Sequence, residues 1–227
     1  MKEEHFQFIQ SIGYNNQGEV GRNALNFGNQ VQNLEEIPQI LNQTFDRSGL
    51  QEICDDKINS NLCVTVAILA WGNMRFNHAR TLFQNWKYLN PIVGNLRTGQ
   101  IESRYEAFEI LQCARATGKL PGLGISYFTK LICFLKPNLN GYILDQWTGK
   151  SINLLWNEPL VRISKSGWVT DHNTPDTYEE FCKRVESLAE KLGVKPLKAE
   201  EIIFSVGGRN SGTWRNYLKE NYPRHWV

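Results

Sequence analysis

Long apolar runs are missing from this chain. The longest, Val64 to Trp71, is broken by Thr65 and falls far short of the ~20 residues needed to cross a bilayer. A charge excess of either sign is missing too: 25 Lys and Arg face 23 Asp and Glu, for a net charge of +2. Any polyanion must therefore be held by a local patch and not by the whole surface. The cysteines lack a pattern. Cys54, Cys63, Cys113, Cys133 and Cys182 are odd in number, widely spaced and without C-x-x-C, which excludes a disulfide framework and zinc or iron–sulfur spacing. They read as reduced thiols of a cytoplasmic protein. The histidines (His5, His78, His172 and His225) are scattered, so no catalytic metal is expected. The charged start, Met-Lys-Glu-Glu-His, does not resemble a signal peptide. Internal repeats, low-complexity tracts and an alternation of strands with helices are also absent, and a doubly wound nucleotide-binding sheet is thereby disfavoured.

What is present is a globular composition, 41% hydrophobic and 11% aromatic over 227 residues, enough for a substantial core. The pattern predicts a mainly α fold with at most a small β-hairpin. Residues 1–34, rich in Gln, Asn and Gly, read as an irregular arm. Residues 35–227 read as one helical domain, or two helical subdomains with a cleft. Pro38 to Phe45 and Leu50 to Asp55 suit short helices. Ser60 suits an N-cap for Asn61 to Ala70, although the Val and Ile content there also suits a strand. Asn77 to Leu89 reads as an amphipathic helix closed by Pro91, and Ile101 to Ala116 as another, stopped near Gly118. A helix from Ile125 to Leu135 ends at Pro137. Its polar stripe is Ser126, Lys130 and Cys133. Residues 138–175 read as irregular, with a small hairpin around Val161 to Val169. Amphipathic helices follow at Tyr178 to Leu192, Lys198 to Val206 and near Trp214.

Between the helices of 101–136 lies Leu120-Pro121-Gly122-Leu123-Gly124, and after them Asp145 in Tyr142-Ile-Leu-Asp-Gln-Trp147. A glycine hairpin between two helices presents backbone N–H groups with no side chain in the way, so a duplex phosphate approaches closely. A carboxylate returned to that end of the second helix would sit beside the nucleotide the hairpin holds. The combination points to an enzyme acting on a DNA base.

These residues resemble the helix-hairpin-helix DNA glycosylase superfamily, in particular its 8-oxoguanine-glycosylase-like branch. The resemblance rests on Leu120 to Gly124, the helix from Tyr127 to Leu135, and the apolar approach Gly141-Tyr-Ile-Leu to Asp145. It implies a helix-hairpin-helix glycosylase-like domain, double-stranded DNA as partner, Leu120, Gly122, Gly124, Ser126 and Trp147 at the DNA, and Asp145 as the catalytic carboxylate. It implies no cofactor beyond a monovalent cation that often helps the hairpin carbonyls face DNA. That family often carries a lysine two residues after the second hairpin glycine, where this chain has Ser126. The 19-residue interval from Ser126 to Asp145 (145 minus 126) fits the family's lysine-to-aspartate spacing. Members with serine there are mainly monofunctional and use water as the nucleophile.

Breaking an N-glycosidic bond builds positive charge on the deoxyribose. A carboxylate near C1′ stabilises that charge and takes a proton from the attacking water. Ser126 cannot form a Schiff base, so the expected product is an intact abasic site. Lys130 lies one helical turn beyond, about 6 Å along the axis. It reads either as an amine nucleophile giving lyase activity or as a phosphate contact or solvated lysine. Asp145 also suits a helix N-cap, a role compatible with catalysis. A flipped base needs an aromatic and amide pocket, for which Trp71, Arg75, Phe76 and Gln146 are the candidates. The tail, with Arg209, Trp214, Arg215, Tyr217, Lys219, Arg224 and His225, reads as a backbone grip or as a solvated face. The competing reading is a helix-hairpin-helix module that binds DNA without catalysis. The base, the biological setting (repair or defence against modified phage DNA) and the oligomeric state are left open, and no membrane partner is expected.

Overall fold

The structure, a computed structural model, describes residues 1–13, 21–206 and 212–226. Among the described residues it holds twelve α-helices, and its only β-pairing is an isolated bridge between Ile163 and Val169. The chain forms two compact units: residues 1–17 with 142–227, and residues 18–141. The first is discontinuous, with the second inserted into it. Among the described residues no helix is long and apolar enough to cross a membrane.

In the inserted unit the helices are α2 (Ala24–Val31), α3 (Arg47–Asp55), α4 (Asn61–Trp71), α5 (Phe76–Gln84), α6 (Trp86–Thr98), α7 (Arg104–Ala116) and α8 (Ile125–Leu135); α1 (Glu3–Ser11) belongs to the other unit. Ser60 caps α4 by accepting from the Cys63 N–H, which settles the segment as a helix despite its β-branched residues. Every residue of α4 from Leu62 to Trp71 is buried, and α4 packs against α2, α3, α6 and α8. Thr65, its one polar side chain within that run, bonds back to the Asn61 carbonyl. Most of α8 is buried as well, including Thr129, which bonds to the Ile125 carbonyl.

The other unit is built around α9 (Gln146–Trp156), which packs on α1, α10 (Pro175–Leu192), α11 (Pro196–Ser205) and α12 (Thr213–Asn221). Its buried polar residues obscure the apolar pattern in the sequence, and each is satisfied within the unit. Ser151 Oγ donates to the Ile203 carbonyl and accepts from Trp214 Nε1. Asn153 Nδ2 donates to the Val161 carbonyl and to Tyr222 Oη. Buried polar groups with such partners cost little.

Four expectations are corrected. Residues 1–34 are not irregular throughout: α1 and α2 lie there. The few apolar residues there are enough to seat both helices, burying Ile9 in α1 and Leu25, Phe27 and Val31 in α2. Pro38 to Phe45 gives only a 3-10 turn, Gln39–Leu41. Pro91 does not close a helix. A break at Asn85 separates α5 from α6, and Pro91 lies inside α6, whose buried Leu89, Val93 and Leu96 hold the turn despite one lost backbone bond. Within 138–175, residues 146–156 are helical, while the small hairpin expected around Val161 to Val169 is present as one antiparallel bridge flanked by the Ser164 N–H on the Trp168 carbonyl and the Thr170 N–H on the Arg162 carbonyl, with side chains taking the backbone beyond it. Asn153 takes both the N–H and the carbonyl of Val161, and Asn173 Oδ1 takes the Arg162 N–H.

His5 of α1 is 4% exposed, and its Nδ1 lies 2.9 Å from Tyr217 Oη of α12. Burial, opposed by Glu4, lowers its pKa below the ordinary imidazole value. A folded-state pKa below the unfolded one means that the unfolded chain binds more protons in that window. Stability should therefore fall as pH drops below about 6.5. Comparing melting temperatures at pH 7.5 and 5.0 for the wild type and His5→Gln checks this. The wild type should lose more on acidification than the variant.

Candidate nucleic-acid and catalytic residues

The hairpin follows from local chemistry. After α7, Gly118 adopts φ +74° and Gly122 φ +82°, left-handed conformations that suit glycine. Leu120 and Leu123 are buried and anchor the turn. A Cβ on Gly122 would stand 2.7 Å from the His78 carbonyl oxygen and 3.1 Å from His78 Cα, so glycine is required there by the fold itself. Gly124 differs. It has φ −71°, and a Cβ there would meet nothing within 4 Å. Sterics among the described residues do not require that glycine, and its place at the start of a helix is one where glycine is merely favoured.

Gly124 is the N-cap of α8 and has no side chain to cap with. Its carbonyl accepts from the Tyr127 and Phe128 N–H groups, and its own N–H bonds to Gly122 O. Among the described residues, the N–H groups of Gly122, Ile125 and Ser126 have no acceptor in the protein. An uncapped helix start with open donors is chemically suited to an anion.

Ser126 is partly exposed at the head of α8. Lys130 is not the solvated lysine that one reading allowed. It is 8% exposed, and its Nζ donates to the Ser126 carbonyl at 2.6 Å. Its stem lies against Gly72, where an added Cβ would stand 2.9 Å from Lys130 Cδ. Its Nζ is 5.6 Å from the Tyr127 ring centroid. Lys130 is thus brought to the end of α4, beside Trp71. The Trp71 ring is 5% exposed, meets Phe134 edge-on at 5.0 Å and lies under the Arg47 guanidinium at 5.7 Å. Its Nε1 is buried without a hydrogen-bond partner. Arg75 is exposed. Phe76 lies under the Arg22 guanidinium at 4.4 Å. Burial raises the Tyr127 phenol above its ordinary pKa, opposed by the charges of Arg75 and Arg22.

In the other unit, Asp145 starts α9. Its Oδ1 accepts from the Trp147 N–H at 2.8 Å and the Thr148 N–H at 3.1 Å, while Thr148 Oγ1 accepts from the Asp145 N–H at 2.9 Å. This reciprocal capping fixes the carboxylate through one oxygen. Oδ2 has no hydrogen bond and no cationic partner among the described residues, and the residue is partly exposed. The carboxylate is oriented and, among the described residues, not held in an ion pair. Gln146 is partly exposed, with Oε1 only 2.6 Å from where a Cβ on Gly167 would stand.

Trp147 has neighbours that the sequence did not associate with it. The Arg215 guanidinium lies 4.6 Å from its ring centroid and Lys150 Nζ 5.7 Å. Lys150 sits three residues on along α9, a spacing that reads as a shared face once the helix is known. Arg209 of the tail and the side chain of Arg224 lie outside the described residues. Among the described residues no group of three metal-ligating side chains converges.

A family model described as "Putative 8-oxoguanine DNA glycosylase OGG-like protein" matches residues 24–204. The chain belongs to this family of glycosylase-like, helical proteins. The match takes in the hairpin, α8 and Asp145. Neither the curated proteins nor the solved structures gave a match.

Proposed function

We propose that this protein is a DNA glycosylase that hydrolyses the N-glycosidic bond of a damaged or modified base in double-stranded DNA and leaves an abasic site. The observation that carries the reading is Asp145: one carboxylate oxygen is pinned by the first turn of α9, and the other has no partner among the described residues. A purely structural N-cap needs only the first oxygen. In this reading the second faces the cation that develops on a departing sugar and takes a proton from water. Family membership supplies the class of chemistry. The open N–H groups at the head of α8 supply a seat for a backbone phosphate.

In this reading Ser126 lies near the DNA and cannot act as an amine. Lys130 is the one lysine within α8, and its Nζ is drawn against the helix's own backbone. Trp71, Arg75 and Phe76 of the inserted unit are proposed for the base, Gln146 of the other unit is proposed for it separately, and Leu120, Gly122, Gly124 and Trp147 are proposed for the DNA. Incubation with duplexes carrying candidate lesions, followed by alkali, tests the reaction. Strand breaks should appear only after alkali. Breaks before alkali would assign Lys130 as the nucleophile, and the monofunctional reading would fail. Duplex binding without release from any lesion or phage-derived substrate would favour the non-catalytic module.

A further inference from the structure

The chain's net charge of +2 hides an uneven distribution. Residues 57–101 hold five Lys and Arg, residues 110–144 hold four, and neither stretch contains an Asp or Glu. These stretches supply α4, α5, α6, the hairpin and α8. The acids between them, Glu102, Glu106 and Glu109, lie just before α7 or in its first half, whereas the hairpin follows its other end. At the hairpin the acid-free segments meet. Gly122 lies against the His78 carbonyl of α5. Lys119, three residues earlier, brings its Nζ to 6.0 Å from the centroid of the Tyr88 ring of α6. Lys87 Nζ lies 5.0 Å from the same centroid.

Lys87, Tyr88 and Lys119 are all exposed. Among the described residues, neither lysine meets a carboxylate, and none of the three side chains makes a hydrogen bond. Their backbones are nevertheless fixed. The Lys119 N–H bonds to the Ala114 carbonyl at 2.9 Å, and the next residue, Leu120, is buried. Lys87 and Tyr88 stand in the first turn of α6, followed by the buried Leu89. Folding gains little from two like charges set around one exposed ring. A phosphodiester strand, with a negative charge at every nucleotide, gains from both.

We propose that Lys87 and Lys119, set around Tyr88, grip the phosphodiester backbone of duplex DNA beside the hairpin. This rests on the glycosylase reading for its partner, and it extends the contact from the hairpin to the start of α6. The open N–H group of Gly122 lies three residues from Lys119, no more than ~10 Å of chain. Successive phosphates of one strand rise ~3.4 Å along the duplex axis, so a strand seated at the head of α8 offers further phosphates across that span. The lysines act as point charges that fix position and carry no sequence information. The Tyr88 hydroxyl adds a donor to the same surface. All three residues lie within residues 24–204, the part matched to the glycosylase-like family.

The test is fluorescence anisotropy of lesion-free duplex DNA with the full-length protein over a series of salt concentrations. Each lost phosphate contact lowers the slope of log affinity against log salt by about 0.9. Lys87→Gln combined with Lys119→Gln should make the slope shallower by about 1.8, and Lys87→Arg with Lys119→Arg should keep the wild-type slope. The control, Lys57→Gln with Lys136→Gln, removes two charges from the same unit. Lys57 Nζ bonds to the Arg97 carbonyl, and Lys136 Nζ lies against Gly99. Both sit at the far end of α6, about 15 Å from Lys87 at the helical rise per residue. That pair should leave the slope unchanged. A Lys87 and Lys119 glutamine variant with the wild-type slope overturns the grip and leaves the glycosylase reading to be decided by base release. The same loss from the control pair overturns the grip too, because the effect would then be one of general charge. Failure of the wild type to bind duplex at any salt overturns both readings together.

Discussion

Asp145→Asn should lower base release at least ~100-fold, the scale on which positioned proton-transfer and charge-stabilising groups act, and leave the fold intact. The amide keeps an oxygen for the Trp147 and Thr148 N–H groups, and Asn is as good an N-cap as Asp. What disappears is the negative charge and the basic second oxygen. Melting temperature and duplex affinity should match the wild type while single-turnover excision collapses. Asp145→Ala is the necessary companion. It removes the cap as well and should cost ~1 kcal/mol of stability on top of the same loss of excision. If Asp145→Asn excises at the wild-type rate on a substrate that the wild type processes, the carboxylate is only a cap and the proposed mechanism is wrong.

The second large effect separates the two hairpin glycines. Gly122→Ala adds a Cβ 2.7 Å from the His78 carbonyl oxygen at φ +82°. A left-handed non-glycine residue costs about 1–2 kcal/mol, and forced packing about 1–3 kcal/mol more. The variant should therefore melt well below the wild type. Gly124→Ala meets no atom within 4 Å at an ordinary φ, so stability should move by less than ~1 kcal/mol. If a phosphate seats on the open N–H groups beside it, the methyl group obstructs the approach. The expected loss of duplex affinity is about 1.5–3 kcal/mol, the value of a hydrogen bond to a charged group. Chemical denaturation and duplex titration of both variants give the answer. Equal duplex affinity for Gly124→Ala and the wild type would remove the hairpin from the DNA interface and leave Gly122 as a purely structural glycine.

Much of the helical order was legible from local signals. Ser60, Gly118, Pro137 and Gly193 punctuate the chain where caps and breakers should, and the structure uses each at or beside a helix end. The start of α9 was foreshadowed by Asp145 as an N-cap, yet the body of the helix was hidden. Thr148, Ser151 and Asn153 look like loop residues until Ile203, Trp214, Val161 and Tyr222 arrive to bond them. Pro91 misled for the related reason that a breaker's local cost was outweighed by an apolar face already committed to the core. The solvated reading of Lys130 failed because its stem lies against Gly72 at the end of α4 and its Nζ bonds back to the Ser126 carbonyl.

The sequence alone determined the helical class, the glycine corner and the lone carboxylate at a set interval beyond it, since each depends on residues close along the chain. It also carried the family, now shown by the match over residues 24–204. Only the tertiary structure decided that Gly122 is demanded by His78 while Gly124 is not, that Lys130 is buried, and that Lys150, Arg215 and Lys219 meet on one ring. Periodicity reports which way a side chain leaves its own helix. It carries no information about which distant helix arrives there, because that is set by how whole apolar faces fit together.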